Sequence, residues 1–164
     1  MSTTTDRVQN QRTQTHATFV LEREYPVPLE KVWAAFADAE IKARWFGPDE
    51  IDDPEVSEDF RVGGVAINNG TMGGRRSEFR AVYTDIVDLE RIVYSYDMWS
   101  DGVHASTSIT TVVFAATDSG THLTFTEQGV HLDGVHGPGP EAAAGREHGT
   151  GWLLDRIGDV VTEA

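Results

Sequence analysis

Residues 141–161 read EAAAGREHGTGWLLDRIGDVV, and this stretch decides the fold. Its alanines favour a helix, and apolar side chains recur at helical spacing in its second half. These are Trp152, Leu153, Ile157, Val160 and Val161. In the first half the same stripe holds only Gly145, His148 and Gly149. We therefore predict one long helix whose second half packs against a sheet and whose first half faces an unfilled space.

The composition limits the classes of function that the chain can serve. The 164 residues include 39% hydrophobic ones, which suits one domain with a core. The 27 acidic residues exceed the 13 basic ones, and the formal charge of -14 disfavours nucleic acids and anionic membrane surfaces. No apolar run is long enough to span a membrane, and the absence of cysteine fits a cytoplasmic protein. Residues 1–16 are polar and do not resemble a secretory signal, so we expect a disordered tail before a single domain over 17–164.

The first part of this domain is predicted to form one strand followed by two short helices. Alternation predicts a strand over 18–25, which Pro26 and Pro28 end because proline cannot donate to a strand ladder. Pro28 suits the start of a first helix. Asp38 is a typical cap for a second, shorter helix, which Gly47-Pro48 stops.

The middle of the chain predicts an antiparallel meander. Six runs have strand character: 56–62, 65–68, 77–87, 91–99, 104–116 and 121–129. Turn residues separate them, including Gly63-Gly64 and a glycine-rich break over 69–74. The simplest way to bury the apolar faces is an α+β fold in which a curved antiparallel sheet surrounds the terminal helix.

Several motifs resemble the domain named for the activator of Hsp90 ATPase, a branch of the START-like, or helix-grip, superfamily. They occur in family order at 25–33 (YPVPLEKVW), 43–48 (ARWFGP), 60–64 (FRVGG), 90–92 (ERI), 120–124 (GTHLT) and 151–152 (GW), so that the likeness covers roughly residues 17–162. The resemblance implies a seven-stranded antiparallel sheet, two short helices after strand one, and a cavity beneath the C-terminal helix. Superfamily members include lipid carriers, hormone receptors and polyketide cyclases, so the fold alone does not fix a function. The superfamily also includes the eukaryotic co-chaperone that activates Hsp90, and that protein carries a separate N-terminal domain. This sequence has only a short polar stretch before the predicted domain, so we do not expect an Hsp90-type partner.

Strand alternation and the helix stripe predict the residues that line this cavity. The expected strand contributions are Phe79, Tyr83, Tyr94, Tyr96, Met98, His104, Ser106, Ser108, Phe125 and Glu127. The helix adds His148 and Trp152, and the resemblance places Trp45 and Phe46 near the entrance. Aromatic walls with a few convergent polar groups are typical of a small-molecule pocket. The connection 129–140 is rich in glycine and proline and would suit a mobile lid.

Three hypotheses for the function follow. The first is a carrier or sensor of a small hydrophobic or aromatic ligand. The second is a cyclase or hydrolase that uses Glu127 and His104 as acid and base, although a surface position for Glu127 and a structural role for His104 are open alternatives. The third is a chaperone-interaction module with an exposed patch. A homodimer is compatible with each, and no cofactor is predicted.

We also predict no metal. His131, Asp133 and His136 with His148 do not match the spacing of a zinc motif.

Overall fold

The computed structural model describes residues 14–132, 135 and 137–163. Within these ranges the chain forms seven strands and three helices. In chain order they are β1 (Gln14–Tyr25), α1 (Leu29–Ala37), α2 (Ala39–Lys42), β2 (Asp52–Ser57), β3 (Val65–Met72), β4 (Arg75–Val87), β5 (Arg91–Ser100), β6 (Val103–Thr117), β7 (Gly120–Leu132) and α3 (Gly139–Val161).

The strands form one antiparallel sheet in the order β1-β7-β6-β5-β4-β3-β2. Consecutive strands from β2 to β7 are neighbours, and β1 joins the far edge of the meander beside β7. In this register Phe19 lies opposite Glu127, and Val112 lies opposite Phe125. The predicted fold class, an α+β helix-grip fold with two short helices after strand one, is confirmed.

Helix α3 lies against β1 and α1, and it is fixed there by its second half. Leu154 and Ile157 are fully buried, and the hydroxyl of Tyr25 donates a hydrogen bond to the carbonyl of Leu154 at 2.8 Å. The helix can approach β1 closely because residue 151 is glycine. A Cβ on Gly151 would lie only 3.2 Å from Nη2 of Arg23.

The buried face of α3 differs from the predicted stripe by about one residue. Thr150, Gly151 and Leu154 are buried with Ile157 and Val161, whereas half of Trp152 is exposed and Leu153 is only partly buried. Gly151 lies on this buried face, a position that hydrophobicity alone could not indicate.

Four predicted boundaries at the sheet edges need correction. Strand β1 begins at Gln14, so residues 14–16 of the expected tail are strand, and residues 1–13 lie outside the described ranges. Strand β2 covers 52–57 rather than 56–62, since the chain turns back at Arg61, whose amide bonds to the carbonyl of Asp59. Strand β7 continues to Leu132 by pairing with Gln14, so the first four residues of the expected lid are strand. Residues 139 and 140 already belong to α3, and residues 133, 134 and 136 lie outside the described part of the chain.

The glycine-rich break over 69–74 contains a shorter turn than predicted. Strand β3 runs through Gly70 to Met72, and the turn is confined to Gly73 and Gly74, both of which have positive φ. Gly70 is needed for a different reason, because a Cβ there would lie 2.3 Å from the side chain of Ile51.

No helix among the described residues is long and apolar enough to cross a membrane.

Candidate functional site

A cavity of about 420 Å³ lies between the sheet and the first half of α3. Its walls come from β3 to β5, from the segment after α2, and from α3. The principal contributors are Phe46, Pro48, Ile51, Met72, Phe79, Tyr94, Tyr96, Met98, Gly145, Arg146, Gly149, Thr150, Trp152 and Leu153. The volume falls in the range that holds drug-sized ligands.

Two glycines of α3 border this space. A Cβ placed on Gly145 or on Gly149 would meet no atom within 4 Å among the described residues. Elsewhere on the same helix, at Gly151 and Gly158, a Cβ would meet neighbouring side chains. The predicted contrast between a packed second half and an open first half is therefore present in the structure.

The sheet side of the cavity is a continuous aromatic surface. The ring of Phe79 lies 4.9 Å from that of Tyr96, and Tyr94 lies 5.9 Å from Tyr96. Phe46 reaches this surface from the segment after α2 and contacts Phe79 edge to face at 5.1 Å. Such packing holds the rings in fixed orientations and leaves an apolar face toward the empty space.

One end of the cavity is polar, and Arg146 organises it. Its Nη1 donates a hydrogen bond to the Tyr96 hydroxyl at 2.8 Å, and its Nη2 donates to the Ser106 hydroxyl at 2.8 Å. The Tyr96 hydroxyl in turn donates to Oε1 of Glu127 at 2.6 Å. Oε2 of Glu127 lies 3.5 Å from Nη1 of Arg146, and the Thr110 hydroxyl lies 3.5 Å from Oε1.

These charges are largely removed from water. The side chains of Arg146 and Glu127 are only 13% and 4% exposed. Burial raises the pKa of Glu127, although the Arg146 cation and the hydrogen bond from Tyr96 partly oppose that rise. Burial likewise raises the pKa of Tyr96 well above its usual value, so this hydroxyl stays protonated and acts as a donor to the carboxylate.

Sequence reasoning missed Arg146. Neither the apolar stripe of the helix nor the alternation of the strands includes this residue. A usable signal was present, since Arg146 lies between two glycines spaced four residues apart on the bare half of the helix. A single cationic side chain on the half of the helix that faces the cavity needs a polar or anionic partner if it is buried, and that partner has to come from the sheet.

His104 does not belong to the polar end, and its predicted inward position is wrong. The pairing of β5 with β6 shifts between Met98 opposite Ser106 and Trp99 opposite His104, so one extra residue interrupts the alternation. A bulge of this kind reverses the face on which preceding side chains lie. His104 consequently contacts Asp97 on the outer face, with Nε2 3.0 Å from Oδ1.

Several other predicted lining residues lie in the core rather than at the cavity. Trp45 is buried against Phe36, with its indole N–H donating to the carbonyl of Ala35 at 2.7 Å. Phe125 stacks on Phe19 beneath β1. Their large apolar area is used for packing of the helices and the edge strand.

Tyr83 is also turned away from the cavity, because a buried ion pair holds its hydroxyl. It donates to Oε2 of Glu58 at 2.8 Å, and Lys42 donates to it at 3.2 Å while forming a salt bridge with Glu58. Burial lowers the pKa of Lys42. This cluster ties α2 to the sheet and positions Phe46, whose ring lies 4.8 Å from Nζ of Lys42.

Three further predicted residues occupy different surroundings. Ser106 and Ser108 are buried as expected, but they lie behind the lining; Ser106 binds Arg146, and the Ser108 hydroxyl has no partner among the described residues. His148 is exposed and does not line the cavity. The possible metal group cannot be assembled here, since Asp133 and His136 lie outside the described residues.

Trp152 remains at the mouth of the cavity despite its exposure. The guanidinium carbon of Arg156 lies 4.7 Å from its ring centre, and Arg156 donates to the carboxylate of Asp49 at 2.7 Å. These contacts connect α3 with the segment after α2. Of the predicted lining residues, the structure thus brings together six: Phe46, Phe79, Tyr94, Tyr96, Met98 and Trp152.

The sheet, the C-terminal helix and the enclosed space define a START-like protein of the helix-grip class. The family model described as "Activator of Hsp90 ATPase homolog 1-like protein" matches residues 26–161. The chain belongs to this family.

Solved structures agree with this assignment. An uncharacterised protein from Rhizobium leguminosarum is 35% identical, with a TM-score of 0.83 and coverage of 93% of this chain and 98% of that one. A protein from Rhizobium loti is 40% identical, with a TM-score of 0.81 and coverage of 90% and 99%. A protein from Chromobacterium violaceum is 27% identical, with a TM-score of 0.72 and coverage of 90% and 99%. Among curated proteins, none matches the sequence significantly.

Proposed function

We propose that the protein binds a small, mainly apolar molecule in the cavity between the sheet and α3, as a carrier or a sensor. The observation that carries this proposal is the cavity itself, which Gly145 and Gly149 border on the helix side and aromatic rings border on the sheet side. An interior glycine costs roughly 0.5–1 kcal/mol relative to alanine. Two such residues beside an empty volume are better explained by a ligand than by packing.

The energetic gain from filling this space is sufficient for useful affinity. Burial of about 200–300 Å² of apolar ligand surface at about 25 cal/mol/Å² contributes several kcal/mol before the cost of association. The aromatic rings are already packed against one another, so little side-chain freedom is lost on binding.

The acid–base hypothesis receives less support from the geometry. His104 and Glu127 lie on opposite faces of the sheet and do not form a pair. Glu127 is covered by Tyr96 and Arg146 and does not line the cavity, so it does not present a free carboxylate to a bound molecule.

The proposal is tested by titration with N-phenyl-1-naphthylamine, a neutral probe that fluoresces in apolar sites, and by native mass spectrometry of the purified protein. Gly149→Leu should weaken probe binding strongly, because a Cβ at this position meets no protein atom within 4 Å and the larger side chain takes up part of the cavity that Gly149 lines. Gly158→Ala, on the same helix but away from the cavity, is the matched control and should bind normally. Equal probe binding by wild type and Gly149→Leu would refute the proposal.

A further inference from the structure

We infer that the ligand presents an uncharged hydrogen-bond acceptor, such as a ketone, ester or amide carbonyl, to Arg146, and that the site disfavours a carboxylate. This inference rests on the proposed function and names the chemical class of ligand that the same cavity takes.

The cavity offers one strong donor at its polar end. Of the described residues that line it, only Arg146 is charged. A guanidinium has five N–H donors. Three of them are used within the described structure, toward Tyr96, Ser106 and Glu127. The remaining donors belong to a side chain that borders the empty space, and a ligand acceptor can receive them.

Arg146 is also held rigidly before any ligand arrives. The hydrogen bonds to Tyr96 and Ser106 fix both ends of the guanidinium, and its central carbon lies 5.5 Å from the centre of the Tyr96 ring. A donor fixed in this way loses little freedom when it binds an acceptor. It therefore distinguishes a ligand that has an oxygen at the matching place from one that lacks it.

The charge of Arg146 is already balanced. Glu127 lies 3.5 Å behind it and is almost fully buried, so the pair is neutral in a site with little access to water. A ligand carboxylate would have to share the single cation with Glu127 and would leave one buried negative charge without a partner. Uncompensated buried charges are strongly unfavourable, whereas a neutral carbonyl adds a hydrogen bond and no net charge.

The test uses three naphthalenes of similar shape that compete with N-phenyl-1-naphthylamine: 2-naphthyl methyl ketone, 2-naphthoate and 2-ethylnaphthalene. In the wild-type protein the affinity for the ketone should exceed that for 2-ethylnaphthalene by at least about tenfold, which is the factor expected for a hydrogen bond to a charged donor. The affinity for 2-naphthoate should be the lowest of the three. In Arg146→Met the advantage of the ketone over 2-ethylnaphthalene should disappear.

Glu127→Gln provides the opposite perturbation. It leaves Arg146 without its counter-charge, so 2-naphthoate should become the tightest of the three probes. The double variant Arg146→Met with Glu127→Gln keeps the site neutral, and it replaces the single Arg146 variant in the test if that variant does not fold. The double variant should also bind the ketone no more tightly than 2-ethylnaphthalene.

The outcomes separate the two proposals. If N-phenyl-1-naphthylamine does not bind, or binds equally well to Gly149→Leu, the cavity is not a ligand site and both proposals fall. If it binds in the cavity and none of the three competitors displaces it, only the inference about ligand class falls. If the probes bind but 2-naphthoate is preferred by the wild-type protein, or if the ketone preference survives the loss of Arg146, the inference about ligand class is overturned while the proposed cavity function stands.

Discussion

Replacing Gly145 and Gly149 together by alanine should make the protein more stable and its ligand site worse. In a helix interior, glycine is less favourable than alanine by roughly 0.8–1 kcal/mol, so the two changes should add about 2 kcal/mol to the free energy of unfolding. Neither new methyl group meets an atom within 4 Å, so no overpacking penalty offsets this gain. For a chain of this size the melting temperature should rise by about 4–8 °C.

Both glycines line the cavity, so the two added methyl groups should reduce the volume left for a ligand. Forcing an added methylene into an occupied site costs roughly 1–3 kcal/mol, so the affinity for N-phenyl-1-naphthylamine should fall by at least about fivefold. Urea unfolding and thermal scans give the stability, and fluorescence titration gives the affinity. Gly158→Ala is the control, because its Cβ would meet the Tyr25 ring at an ordinary 3.5 Å; it should add about 1 kcal/mol and leave probe affinity unchanged.

Two results would refute this reasoning. A double variant that is less stable than the wild type would mean that the space beside the helix is filled by protein atoms. A double variant that is more stable and binds the probe with wild-type affinity would mean that the two glycines do not border the ligand.

Three further predictions concern the buried polar groups. Arg146→Met should lower the free energy of unfolding by about 3–5 kcal/mol because it leaves Glu127 buried without its cation, and adding Glu127→Gln should recover much of that loss. An Arg146→Met variant that is as stable as the wild type in urea would contradict the pairing of Arg146 with Glu127. The folded-state pKa of Glu127 lies above its ordinary value of 4.5, so the folded state binds its proton more tightly than the unfolded state, and the contribution of this group to stability should decrease as the pH rises from 4.5 through the folded-state pKa. The unfolding free energy of the wild type minus that of Glu127→Gln, followed from about pH 3 to pH 7, measures this contribution and should fall as the pH rises above 4.5. A value that rises with pH below 4.5 and stays constant above it would show that the pKa is lowered instead. Ser108→Ala should stabilise the protein by about 1 kcal/mol, because the buried hydroxyl has no partner among the described residues; equilibrium urea unfolding that shows a loss of similar size would reveal an unseen partner.

The sequence by itself determined the class of fold. The order of strand, two short helices, six strands and a long helix followed from alternation, proline and glycine positions, and the apolar stripe of residues 141–161, because each of these signals is local. The open half of the helix could also be predicted, since Gly145 and Gly149 stand where a packed helix would carry larger side chains.

Tertiary structure alone decided which polar groups meet. One extra residue in β6 turned His104 to the outer face, and no pattern in the sequence marks where a bulge will fall. Arg146 became the centre of the site because the first half of α3 brings it within reach of Tyr96 on β5 and of Glu127 on β7, which are 50 and 19 positions away in the sequence. Packing of α3 against β1 put Leu154 in the core and left Trp152 half exposed at the mouth of the cavity. Long-range contacts of this kind depend on how elements pack in three dimensions, and periodicity along the chain does not encode them.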